Sequence, residues 1–176
     1  MLKGKMISLK SIEPEDLEQL RIWRNLPEYR KHFREYKEIN SAMQLKWYES
    51  SVVNDNNTLM FSIRDNETDE LLGCCGLCYI NWVGQHADLS LYIGKDECYI
   101  DDQGFAEDAC VLLFDYAFKE LGLNKVWTEL YEFDNKKIDL YSKLGMTIDG
   151  RWRKQYYYNG RWWDSLLLEI LAEEWN

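Results

Sequence analysis

The chain has no run of basic residues, no low-complexity linker, and no apolar stretch of the roughly 18 residues that a membrane helix needs. The first absence argues against a protein that tracks nucleic acid, because such proteins carry a basic stripe. The second leaves no internal boundary, so residues 1–176 read as one domain. The third argues against a membrane protein. The opening MLKGKMISLKSI also lacks the apolar core of a secretory leader, so a reducing, cytoplasmic setting is expected. Metal-ligand spacing is missing as well. Cys75 and Cys78 form a lone C-x-x-C with no second pair and no spaced histidines, so no metal is expected.

What is present is globular. Hydrophobic residues make up 46% of the chain, enough for a substantial core. The 31 acidic residues outnumber the 21 basic ones, for a net charge of -10, which serves solubility or attracts a cationic partner. The 8 tryptophans and 12 tyrosines can fill a core, line a cleft or make an interface. Three of the 5 cysteines fall in LLGCCGLCYI, a strand-like run, and read as free thiols.

The pattern predicts a strand over Met6 to Ile12, then a helix from Pro14 to Asn25 with Leu17, Leu20 and Trp23 facing inward. Pro27 interrupts it, and Ser41 is the expected cap of a second helix. Strands over Leu59 to Arg64, Leu71 to Ile80 and Ala87 to Ile93 suit an antiparallel meander. A helix follows from Gly104 to Leu121, stopped by Gly122, then a strand in LNKVWTELY and a short helix from Asn135 to Leu144. Closing strands are expected over Met146 to Trp152 and Trp163 to Leu171, with Asn159-Gly160 as a hairpin turn. The fold class is therefore α/β, a single mixed, mostly antiparallel sheet flanked by helices.

Three segments carry a family resemblance. Asp101-Asp102-Gln103-Gly104-Phe105-Ala106 sits between a strand and a helix, where a small-residue loop can cradle a pyrophosphate on helix N-terminal amides. NKKIDLYSKLGM places Asn135, Tyr141, Lys143 and Gly145 at a recurring spacing, and DGRWRKQYYYNGRWWDSLLLEI ends the chain in a Gly, basic, hairpin, Asp order. Together these resemble the GCN5-related N-acetyltransferase (GNAT) superfamily. The similarity extends to the branch of ribosomal-protein alanine, spermidine and amino-sugar acetyltransferases, which also shows the Trp23-Arg24-Asn25 motif. Asp101 departs from the usual Arg or Gln of the loop, and Met146 replaces an aromatic residue.

The resemblance implies an acetyl-CoA-dependent enzyme in which a primary amine attacks the acetyl carbonyl directly. Acetyl-CoA would be a co-substrate held by the amides of Gln103, Gly104, Phe105, Ala106 and Glu107, with Asn135 and Lys143 nearby. Leu91, Tyr92 and Ile93 would supply a backbone donor for the oxyanion. Tyr141 would protonate the leaving thiolate, and Asp88, then Glu129, are the candidate bases. His86 is a weaker base candidate, and Cys98 has no histidine partner that would make it a nucleophile. The acceptor would be a small amine, an amino-sugar nucleotide or a protein N-terminus. Arg24, Arg30 and Arg34 are candidate phosphate readers, and a homodimer is compatible with the exposed aromatics. The alternative is a CoA-binding interaction module with weak or no catalysis.

Overall fold

The computed structural model describes residues 1–175, which build one sheet of eight strands in the order β1-β2-β3-β4-β5-β6-β8-β7. The strands are β1 (Leu2–Lys3), β2 (Ile7–Ser11), β3 (Leu59–Asp65), β4 (Leu71–Asn81), β5 (His86–Ile93), β6 (Lys125–Tyr131), β7 (Thr147–Tyr158) and β8 (Arg161–Leu171). The helices are α1 (Leu17–Asn25), α2 (Pro27–Arg30), α3 (Ser41–Trp47), α4 (Phe105–Asp115) and α5 (Asn135–Lys143). Every neighbouring pair is antiparallel except β5 with β6. That exception follows from α4, which carries the chain back across the sheet, as a parallel crossover requires.

Local sequence accounts for most of the elements. β4 is apolar on both sides of the pleat because helices cover both faces of the central sheet, and six consecutive residues from Leu72 to Leu77 are buried. α4 buries Ala106, Ala109, Cys110 and Leu113, whose small members let the helix sit close to the strands. α1 buries Leu17, Leu20 and Trp23. The Trp23 ring lies 1.9 Å from where a side chain on Gly94 would begin, so that position admits only glycine. Asn159 and Gly160 have φ of 51° and 79°, the mirror-image turn that matches strand twist, and they join β7 to β8.

The expected single mixed sheet is the observed one. Several boundaries differ. The short β1 was not anticipated, and two residues leave too little periodicity to see. Asn40, not Ser41, caps α3, its side chain accepting from the Met43 amide. The α4 helix ends at Asp115 and widens into a π turn over Tyr116–Glu120 before Gly122, at φ 68°. β7 continues to Tyr158 instead of stopping near Trp152, by passing through an irregularity between Trp152 and Tyr156.

Candidate active site

The sheet comes apart at one place. β5 and β6 pair only over His86–Asp88 with Lys125–Trp127, after which each strand follows its antiparallel neighbour. The Thr128 hydroxyl donates to the Leu89 carbonyl at 3.2 Å and marks the fork. Beyond it a cleft of about 420 Å³ opens, lined by both strands, by Arg24 and the His32–Glu35 segment after α2, and by Lys137 of α5. The Ile93 amide donates to the Tyr99 carbonyl, on the side away from β4. Alternation along the strand turns the Leu91 amide to that same side, toward the cleft, and turns Tyr92 toward β4.

Two carboxylates meet at the fork. Asp88 and Glu129 lie on adjacent strands, and the Arg34 guanidinium spans them at 3.6 Å and 3.1 Å. Burial raises the Asp88 carboxyl to about 6, against the opposing pull of Arg34 and Thr128. Glu35 borders the same cleft. His86 is elsewhere engaged, since its Nδ1 accepts from the Trp127 indole at 3.2 Å.

Tyr141 is fully buried on α5, and its hydroxyl has no hydrogen-bond partner among the described residues. Burial pushes its pKa well up, so it holds its proton. Lys137 sits one turn earlier on the same helix face. Its Nζ lies 5.0 Å from the centre of the Tyr99 ring and 5.5 Å from that of Phe33. Asn135 is the exposed first residue of α5, and the cap is Asp134. Asp134 is buried, accepts from the Tyr99 hydroxyl at 2.6 Å, and lies 3.3 Å from His32 Nδ1. Burial lowers His32 to about 4, so it is neutral near pH 7.

The loop before α4 holds a different surprise. The Asp101 carboxylate folds back over the helix N-terminus and accepts from the amides of Gln103, Gly104, Phe105 and Ala106 at 2.7–2.9 Å. Gly104, at φ 105°, makes the turn possible. The amides expected to be open for a pyrophosphate are therefore engaged by a side chain of the same loop. Only the Glu107 amide, the fifth of the expected set, is not among them. A second cleft, of about 540 Å³, lies between this loop and α5. Its lysines are occupied: Lys143 pairs with Glu107 at 2.5 Å, and Lys136 donates to the carbonyls of Cys98 and Ile100. The amide fan has the shape and polarity for phosphate oxygens, which would have to displace Asp101.

Residues 9–167 match the family model described as an acetyltransferase (GNAT) domain. The chain belongs to the GNAT family. It is an acetyl-CoA-dependent N-acetyltransferase. An uncharacterized N-acetyltransferase of Bacillus licheniformis is 25% identical over 99% of this chain and 97% of its own length. A spermidine N(1)-acetyltransferase of Escherichia coli K12 is 25% identical over 99% of this chain and 91% of its own. The crystal structure of a Vibrio cholerae spermidine N-acetyltransferase with CoA and spermine superposes with a TM-score of 0.86, at 23% identity, covering 96% of this chain and 97% of that one.

Within this GNAT chain, Asp88 and Glu129 line one cleft, while Gln103, Gly104 and Lys143 line the other; Leu91 is buried, and only its amide is turned toward the first. Asn135 faces solvent beside a third hollow, away from the carboxylate pair. Arg24 stacks on the Phe33 ring at 4.0 Å and Arg30 pairs with Glu38, so of the three candidate arginines only Arg34 reaches the carboxylates. Sequence reading missed Asp134, Tyr99, His32 and Lys137. An Asp directly before a helix is a cap signal that favours Asp134 over Asn135. Nothing local marks the other three, because their burial is produced by packing between distant segments. Burial pushes the Cys74 and Cys78 thiols up to about 12 and raises Cys98 as well, so these groups stay protonated at neutral pH.

Proposed function

We propose that the acceptor is a small cationic primary amine of the polyamine class. The observation that carries this reading is the pair Asp88 and Glu129 sharing one cation, Arg34, in the cleft. An ammonium group of the acceptor would take the place of that guanidinium. Glu35 adds further negative charge, and relatives named spermidine N(1)-acetyltransferases agree with it. An anionic amino-sugar nucleotide would meet repulsion from the same carboxylates.

In this reading Asp88 receives the acceptor proton, directly or through water, and the neutral amine attacks the acetyl carbonyl. The Leu91 amide donates to the carbonyl oxygen as it gains charge. Tyr141, holding its proton, delivers it to the departing thiolate. The exposed Trp152, Tyr157 and Trp162 of the closing hairpin support self-association of the chain. Free CoA release with polyamines, N-terminal peptides and amino-sugar nucleotides as acceptors tests the assignment. Release confined to the polyamines supports it, and release confined to the nucleotides overturns it.

As the base, Asp88 must be ionised, so kcat/KM should rise with pH through about 6. Asp88→Asn should remove that limb of the profile. The sign for stability is the reverse. Between about pH 4 and 6 the folded state holds a proton that the unfolded state releases, so the contribution of Asp88 to stability falls as pH rises across that window. Urea titrations at pH 4 and pH 7 on the parent and on Asp88→Asn would isolate it. Arg34→Ala should lower KM for a dicationic acceptor by roughly tenfold with kcat little changed, because the competing cation is removed. A raised KM would make Arg34 part of acceptor binding instead.

A further inference from the structure

Lys137 is the one buried lysine among the described residues, 6% exposed. Burying an ammonium is costly unless it is paired. Lysines 10, 31, 95, 119, 125 and 143 pair with carboxylates, but Lys137 has no carboxylate within ion-pair distance among the described residues. Its Nζ rests instead against the faces of Tyr99 and Phe33 and borders the cleft between the splayed strands. The packing holds an amine at the bottom of the cleft where acetyl transfer takes place, with Tyr141 one turn further along the helix. Desolvation, helped by Arg24, lowers the pKa of this amine, while Asp134 and Asp88 oppose the shift. The free-base fraction is thereby larger than for a lysine in solvent.

We propose that Lys137 is an internal acetyl acceptor, modified on Nζ from acetyl-CoA when no external amine occupies the cleft. The inference rests on the acetyl-donor reading of this cleft. The Nζ lone pair forms a C–N bond to the thioester carbonyl carbon, the C–S bond breaks, and CoA leaves as its thiol with a proton. The amine's excess proton passes to Asp88 or to water. The product is a neutral amide in place of a buried amine. It removes a positive charge from beside Asp88 and Asp134 and narrows the cleft, so the modified chain should turn over external amines more slowly.

The test is an acceptor-free incubation of the full chain with acetyl-CoA, followed by intact mass and peptide mapping, with CoA binding measured in parallel. Uncatalysed acetylation favours exposed lysines, so Lys46 and Lys154 serve as internal controls. Lys137 should gain one acetyl group at least about tenfold faster than either, as expected for a held amine. Excess free CoA should suppress the gain, and Lys137→Arg should abolish it while Lys46→Arg leaves it intact. The mapping on the unaltered chain stands even if Lys137→Arg folds poorly. Modification of the exposed lysines first, with Lys137 untouched and CoA bound, overturns the inference and leaves the transferase assignment standing. Absence of CoA binding overturns both.

Discussion

Asp101→Ala is expected to tighten CoA binding and weaken the fold at the same time. The Asp101 carboxylate accepts four backbone hydrogen bonds at the start of α4, so it satisfies donors that no intrahelical carbonyl reaches. A charged capping side chain of this kind contributes about 1–3 kcal/mol, and its loss should appear as a lowered urea midpoint. The same amides point where a phosphate would bind, and a negative charge there repels another. Freed of it, the chain should bind CoA at least about tenfold more tightly, worth roughly 1.4 kcal/mol. Calorimetry with CoA beside chemical denaturation would separate the two effects. Weaker CoA binding in Asp101→Ala would mean that the carboxylate holds the loop ready for the donor and does not compete with it.

Tyr141→Phe should cost activity and cost nothing in stability. The hydroxyl is buried with no partner among the described residues, so a purely structural account predicts a neutral or slightly stabilising change on its removal. The ring, which fills the space beside α4, is retained. If the hydroxyl protonates the leaving thiolate, kcat should fall by about a hundredfold, with the urea midpoint unchanged or raised. A stable variant with full activity would leave Tyr141 as packing alone.

The fold was legible because its signals are local and strong. The Asn159-Gly160 turn, the apolar run of β4 and the glycines at 104, 122 and 145 each fix a boundary without outside help. The site was legible only where a motif named it. Asp88 and Glu129 could be nominated from their strands, but not the guanidinium that joins them, since Arg34 comes from an irregular segment more than 50 residues away from Asp88 along the chain. Asp101 was visible as a departure from the loop pattern, yet whether it turned inward depended on the turn at Gly104. The motif marked Asn135 alone, while the residue that caps α5 is its neighbour Asp134. Lys137 carried no signal, because a lysine in a helix reads as surface until the opposite wall, here Phe33 and Tyr99, is known.

The fork between β5 and β6 puts two inward-facing strand edges in the middle of a sheet. Past Asp88 each inner strand offers backbone groups that its antiparallel neighbour on the far side cannot take up. Edges of this kind recruit an added strand. An extended ligand bearing amides would complete the ladder and become, in effect, a ninth strand. Occupancy of the cleft would then stiffen the molecule across its whole width, and its melting temperature would report donor concentration.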